Sequence, residues 1–371
     1  MEVFWSLTIY HPYSILSSLF IETTKKEKTM GGGGLFYDRD VTDKAFRGSS
    51  GVSSVAEREL RQTNMDPALL PKNRKLICNA KNPLVYDFDV TGSMGNLPKI
   101  IYDKWPGIVG QIVARKYLAD PQMSVTATGD TRSDRSPLQM ADFSNLRNLD
   151  KWLKSIHFEG NGGGQGSESY AMTAYYYAYL CDLPKAENPI YLITGDEAFV
   201  EDLLADDLKE YFGGECQDTT AKKVFADLLA KFKDNVFLIH RRYDSGGSER
   251  WTNTRIVNQW QGVIGKERII PLPEDLAIGD ITLGVYAIVS GARTLKQYLE
   301  DMCTRPLDLG EGVEYEPQSE ERIAQVDEAL QLLKDFKPVK STRPTVTVSR
   351  KTKPADKKEK SGKKQDSSWK I

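Results

Sequence analysis

Cysteine and histidine are scarce in this chain: its 371 residues hold four Cys and three His. Cys78, Cys181, Cys216 and Cys303 are widely separated and form no Cys-x-x-Cys pair. Neither a structural zinc site nor a disulfide framework is therefore expected, and a reducing, cytoplasmic setting follows. His157 and His240 have no partner at catalytic spacing and are expected to be structural. Net charge is also nearly absent, at -2, but that balance hides an asymmetry. Residues 337–371 carry 12 Lys or Arg against three acids, a net +9, so the residues before them carry -11. An acidic body with a basic tail gives no overall attraction to nucleic acid, and no specific nucleic-acid partner is expected. Apart from Trp369 the tail lacks aromatics for stacking on bases, which leaves only non-specific contacts to phosphates or acidic surfaces. The first 21 residues are fairly apolar, but His11 and Pro12 interrupt them, and no positive n-region or clean small-residue cleavage site frames them. No signal peptide or membrane span is expected. Translation from Met30, which opens a Met-Gly-Gly-Gly-Gly run, is the plainer alternative. Leu35 stands where myristoylation of Gly31 would want Ser or Thr.

What remains is ordinary for a soluble globular protein, with 40% hydrophobic and 27% charged residues, enough to build a sizeable core. Residues 1–80 look loosely ordered, with a glycine run at 31–34 and a Gly-Ser patch at 48–54. From Leu84 onward, apolar strand-like runs alternate with helical stretches, which implies an α/β fold with a mainly parallel, doubly wound central sheet. Strands are expected at 84–89, 123–128, 138–143 (an edge strand), 190–194, 236–240 and 268–272. Helices are expected at 98–118, 146–156, 168–180, 200–212, 219–233 and 283–302. The tyrosines at 175–177 and 179 fall at helical spacing with Ala174 and Ala178, as core residues do. A body at 81–303 is then followed by a helical extension at 304–336, amphipathic through Ile323, Val326, Leu330 and Leu333. The tail at 337–371 has no apolar periodicity and is expected to be disordered.

The chemistry-bearing segment is Asp89-Val90-Thr91-Gly92-Ser93-Met94, directly after the first apolar strand. An Asp followed at two-residue intervals by two hydroxyls suits a hard divalent cation, and Gly92 permits the sharp turn that would let the three oxygens converge. Three such groups cannot cage a metal alone. Further oxygens must come from other loops at the carboxyl edge of the sheet, where open α/β sheets bind ligands. The candidates there are the glycine-rich loop 160–169 and the strand end Thr194-Gly195-Asp196. Gly129–Arg135, polar and following a strand, is a candidate rim.

This pattern resembles the metal-ion-dependent adhesion motif of von Willebrand factor A domains, Asp-x-Ser/Thr-x-Ser. Ile193-Thr194-Gly195-Asp196 is similar to that family's later strand, which ends in an aspartate. The glycine-rich loop with Glu168-Ser169 is similar to the middle loop of its intracellular and bacterial members. The resemblance covers about residues 84–302. It implies a three-layer, Rossmann-type sandwich that binds partners without catalysis. Thr91 and Ser93 would be direct ligands of Mg²⁺ (or Mn²⁺ or Ca²⁺), with Asp89 and Asp196 acting through water. A protein partner's Asp or Glu would complete the shell. The family's middle loop contributes a threonine, which this chain lacks; near that place stand Gln165, Gly166 and Ser167, and Ser167 is the expected substitute.

Two other readings stay open. Asp87-Phe88-Asp89-Val90-Thr91-Gly92 also resembles the nucleophile motif of haloacid dehalogenase-type phosphohydrolases, in which one Asp attacks phosphorus and the second is acid or base. No lysine stands shortly before Gly195-Asp196, however, and Ser93 and the glycine loop would go unused. The third reading keeps the von Willebrand factor A-like scaffold without its metal.

Overall fold

The computed structural model describes residues 66–158, 166–243, 249–304 and 318–337. Its strands are β1 (Leu76–Ile77), β2 (Pro83–Asp89), β3 (Gln122–Thr128), β4 (Leu138–Met140), β5 (Ser144–Asn145), β6 (Ser167–Glu168), β7 (Cys181–Asp182), β8 (Ile190–Gly195), β9 (Ala198–Phe199), β10 (Asp202–Leu203), β11 (Thr219–Thr220), β12 (Val236–Arg241) and β13 (Ile269–Leu272). A seven-stranded sheet runs in the order β13-β12-β8-β2-β3-β4, with β5 also on β3. The pairs β13–β12, β12–β8, β8–β2 and β2–β3 are parallel. Only β4 and β5 run antiparallel, at the edge. The chain leaves β2 toward β3 and β4, then returns to the other side of β2 through β8. The order thus reverses between β2 and β8, the position outside whose carboxyl ends open α/β sheets bind ligands.

The helices are α1 (Leu97–Ala114), α2 (Leu149–Ser155), α3 (Tyr170–Tyr179), α4 (Ala205–Phe212), α5 (Ala221–Lys231), α6 (Glu249–Ile264), α7 (Ile278–Val289), α8 (Leu295–Cys303) and α9 (Glu320–Leu330). They cover both faces of the sheet. Leu84, Tyr86 and Phe88 pack into one core with α1, α2, α7, α8 and α9. Val85, Tyr191, Ile193 and Leu238 pack into another with α3, α4, α5 and α6. Because strand side chains alternate, Asp87 and Asp89 share the α3 face with Val85. Every residue of β2 is buried, as a central strand covered on both sides must be. Among the described residues no helix is long and apolar enough to cross a membrane.

Several boundaries depart from the sequence expectation, each for a local reason. The first long helix ends at Ala114 rather than 118 because Lys116 takes a left-handed φ of 55°, which a helix cannot continue. The expected helix 283–302 is two helices, broken at Gly291 (φ 77°) and restarted by a Thr294–Gln297 capping box. The expected helix 200–212 begins only at Ala205, since 198–203 form β9 and β10. α6 escapes the sequence reading because its apolar stripe is narrow: Ile256, Trp260 and Ile264 are buried in an otherwise polar run. The loosely ordered region does not extend to residue 80. Leu69, Leu76 and Cys78 are buried, and β1 pairs with β7, so chain from residue 66 packs on the body. The stretch 318–336 is likewise no appendage: Val326, Leu330 and Leu333 are fully buried in the same core as α7. Residues 1–65, 159–165 and 338–371, on which the glycine runs and the tail fall, lie outside the described residues.

Candidate metal centre

β2 ends in Asp89, whose carboxylate organises the turn after it. Its Oδ1 accepts the Thr91 backbone N–H at 2.7 Å and the Thr91 hydroxyl at 2.6 Å. Thr91 then leads a single 3-10 turn, Gly92–Met94, and Gly95 reverses the chain at φ 55° into α1, where a proline occupies the first turn. This winding sets the Ser93 hydroxyl 3.1 Å from that of Thr91. Ser93 also donates to Asp196 Oδ1 at 3.0 Å. The β2–β8 register, with Phe88 opposite Thr194, carries Asp196 to the same edge. Asp89, Thr91, Ser93 and Asp196 therefore form one continuous hydrogen-bonded chain across the strand ends where the order reverses. Asp89 and Asp196 are fully buried and Thr91 nearly so.

Two neighbours close the site. Tyr170, opening α3, donates its hydroxyl to Asp89 Oδ2 at 2.5 Å. It reaches across Gly195, where a Cβ would stand 2.1 Å from the tyrosine oxygen, so the glycine is there for close approach. Arg241, at the end of β12, donates from Nη1 to the Ser93 carbonyl at 3.1 Å, and the same nitrogen lies 3.5 Å from Asp196 Oδ2. Its Nε donates to Asp275 Oδ1 at 2.9 Å.

The electrostatics are strongly acidic. Burial, the largest cause, pushes the Asp89 and Asp196 carboxyls above the usual range. For Asp196 the charges of Asp89 and Glu197 add to the rise, while Ser93 and Arg241 oppose it. Burial and the same crowd of acids push Glu197 up to about 7 and raise Glu168 further. Glu168 and Glu197 each keep one buried carboxylate oxygen, Oε2, without a hydrogen-bond partner. Carboxylates raised together in this way lack compensating positive charge, which protons or a cation can supply. Among the described residues no three His, Cys, Asp or Glu side chains are grouped so as to hold a metal ion by themselves. Any cation here needs the Thr91 and Ser93 hydroxyls. Two hydroxyls flanked by two buried carboxylates are an all-oxygen donor set of the kind that Mg²⁺, Mn²⁺ and Ca²⁺ favour, and in that respect the residues fit.

Ser167 is placed otherwise than expected. Its hydroxyl accepts Arg132 Nη2 at 3.1 Å and its carbonyl accepts the same nitrogen at 2.7 Å. No hydrogen bond joins it to the other four expected ligands. The reason is the β6–β9 pairing, which turns Ser167 toward Arg132 and its neighbour Glu168 inward. The rim loop 129–135 is held by its own bonds: Asp130 accepts the Arg132 backbone and Nε at 3.0 and 2.9 Å, and Asp134 accepts the Asp130 N–H at 2.7 Å. Asp87 lies one strand step deeper than Asp89. It is fully buried, accepts Thr128 Oγ1 at 2.7 Å and Tyr191 Oη at 2.9 Å, and is pushed by burial up to about 7. His240 is a buried core imidazole lowered by burial to about 4. Tyr170 and Arg241 were not readable as site residues; Tyr170 sits in a tyrosine-rich run that reads as core. Glu168, within the glycine-rich loop, and Glu197, adjoining Asp196, carried a signal of position but not of role.

The sequence matches no protein-family model, and no curated protein matches it. Solved structures match in part. The pilus adhesin SpaC from Lactobacillus rhamnosus GG, in its open conformation, matches at 11% identity and a TM-score of 0.40, over 58% of this chain and 31% of its own. This chain thus spans well under two thirds of that structure. A mutant of the PilB minor pilin from Streptococcus sanguinis matches at 12% identity and 0.34, over 61% of this chain and 64% of its own. A von Willebrand factor type A structure from Catenulispora acidiphila matches at 13% and 0.25, over 60% and 51%. Scores this low carry no argument about function, which rests on the residues themselves.

Proposed function

We propose that the chain is a non-enzymatic, cation-dependent protein-interaction module of von Willebrand factor A type. The observation that carries this reading is the hydrogen-bonded chain Asp89–Thr91–Ser93–Asp196 across the ends of β2 and β8. Thr91 and Ser93 would hold a divalent cation directly, with Asp89 and Asp196 holding its waters and balancing its charge. A hard cation with too few protein ligands keeps exchangeable waters, and a partner's Asp or Glu would replace one of them. The four free thiols favour a reducing, cytoplasmic setting.

Calorimetric titration of Mg²⁺ and Mn²⁺ into the full chain tests the reading. Saturable heat with a dissociation constant between about a micromolar and a millimolar, lost in Ser93→Ala, is the expected result. Absence of binding in the unaltered protein overturns it.

A second reading, the same scaffold without metal, is favoured by Arg241, which already places positive charge beside Asp196. It expects no heat from either ion. The phosphohydrolase alternative loses ground because Asp87 is sealed from solvent by Thr128 and Tyr191, so that no phosphate can approach it in line. Mg²⁺-dependent hydrolysis of a phosphate ester, abolished by Asp87→Asn, would restore that alternative.

A further inference from the structure

The middle loop leaves the cation site one ligand short, and the residue that supplies it is readable from β6. Ser167 and Glu168 are consecutive in an extended segment, so their side chains face opposite ways. Ser167 faces Arg132. Glu168 faces inward, is 1% exposed, and is tied to the Asp196 loop by the pairing of Glu168 with Phe199, three residues beyond Asp196. The backbone on either side is fixed as well: the Val200 N–H donates to the Glu168 carbonyl at 3.3 Å and the Ser169 N–H to the Gly129 carbonyl at 3.1 Å.

Inside, the main charges felt by the Glu168 carboxylate are of its own sign. The charges acting on it are Asp89 first, then Glu197, Asp130 and Asp134, and its Oε2 accepts no hydrogen bond. A buried carboxylate oxygen without a partner is costly. Glu197, beside Asp196, also has an unpartnered buried oxygen, but Arg255 and Arg132 lower its charge cost, whereas the leading charges acting on Glu168 among the described residues are all acidic.

We propose that Glu168, rather than Ser167, is the middle-loop ligand of the divalent cation, joining Thr91 and Ser93. The proposal rests on the cation reading above and names the residue that completes its ligand set. Its chemical consequence is a site with an anionic ligand where a hydroxyl is expected. A carboxylate adds negative charge, and charge count is a main determinant of affinity for hard cations. It can also bind through both oxygens, which suits the larger shell of Ca²⁺. The bound ion then holds less uncompensated positive charge, so it attracts a partner's carboxylate less strongly than a hydroxyl-only site does.

The test is calorimetric titration of Mn²⁺ and Ca²⁺ into the full chain and into Ser93→Ala, Ser167→Ala, Glu168→Gln and Glu197→Gln, with thermal melting of each protein without metal and with Mn²⁺. Glu168→Gln is expected to weaken Mn²⁺ by about tenfold or more and to lose the Mn²⁺-dependent rise in melting temperature. Ser167→Ala is expected to bind within about twofold of the unaltered chain, and Glu197→Gln to weaken binding less than Glu168→Gln. If Glu168→Gln does not fold, Glu168→Asp replaces it: retained charge one methylene short is expected to give weakened but measurable binding. Unchanged binding in the Glu168 variant, with binding lost in Ser93→Ala, overturns this assignment and leaves the cation reading intact. Loss in Ser167→Ala equal to that in Glu168→Gln also overturns it. No binding by the unaltered chain overturns both.

Discussion

The tightest constraint at the level of single residues is Gly195. A side chain there would collide with Tyr170, whose oxygen, Cζ and Cε1 lie 2.1, 2.6 and 3.0 Å from the built Cβ position. Ala at this position must displace the ring and break its hydrogen bond to Asp89. Gly195→Ala is expected to destabilise the protein by about 1–3 kcal/mol in urea denaturation, as overpacking of a core does. Adding Tyr170→Phe should not relieve it, because the ring carbons clash too; recovery in the double variant would show that the hydroxyl alone was at fault. Asp87 gives the second residue-level expectation. Burial raises its carboxyl to about 7, above its ordinary value of 3.8, so between those values the folded state binds more protons than the unfolded one. Stability then falls as pH rises through that window. Comparing urea midpoints at pH 5 and pH 7.5 should reveal a loss on the order of a few kcal/mol, smaller in Asp87→Asn but not abolished, because the Asp89, Asp196, Glu168 and Glu197 carboxyls are raised as well. Equal pH slopes in the two proteins would show that Asp87 is not the group responsible. The residues Asp89, Thr91, Ser93 and Asp196 were legible in the sequence because hydroxyl and acid at fixed spacing after an apolar strand have few other uses. Tyr170 was not, and Glu168 was legible only as part of the glycine-rich loop, because the surroundings of both are set by residues distant along the chain.

Elements were legible in proportion to their contrast. β2, β3, β8, β12 and β13 stand out as apolar runs, and their parallel pairing follows from the helices between them. α6 did not stand out, since Asn, Gln and Thr fill its outer face. Yet α6 supports the site: Trp260 packs against Tyr170, Phe199 and Phe225 at ring separations of 5.4, 4.9 and 5.4 Å. Its indole N–H donates to the Glu197 carbonyl at 3.0 Å. Trp260→Ala removes both functions and is expected to cost about 3–5 kcal/mol. Trp260→Phe retains an aromatic ring and loses the hydrogen bond, at a cost of about 1–3 kcal/mol for the buried carbonyl left without a donor. Urea midpoints of the two variants rank the contributions; equal losses would mean that the hydrogen bond, not the packing, holds α6 in place.

At the scale of the molecule, the question is where the folded unit stops. Charge and periodicity separate the acidic body from a tail of net +9, but they misplace the stretch between them as an appendage. α9 is in fact built into the core. Val326, Leu330 and Leu333 are fully buried, Leu330 packs over Gly284 of α7, where a Cβ would stand 2.3 Å from it, and Phe336 meets Phe237 of β12 at 5.8 Å. Arg322 fastens the start of the helix, pairing with Glu274 and, at 3.2 Å, with the buried Asp280. Removing α9 would therefore expose apolar faces of α7 and β12 and leave Asp280 a buried charge deprived of this arginine. Truncation after residue 317 is expected to abolish cooperative unfolding or to leave the protein insoluble. Truncation after residue 337 removes neither apolar contact nor ion pair among the described residues, and is expected to leave the urea midpoint unchanged. The same cut takes away nearly all of the tail's basic charge, so retention on a polyanion such as heparin should weaken and lose most of its salt dependence. A stable, cooperatively folding chain ending at 317 would place α9 outside the folding unit, against its burial.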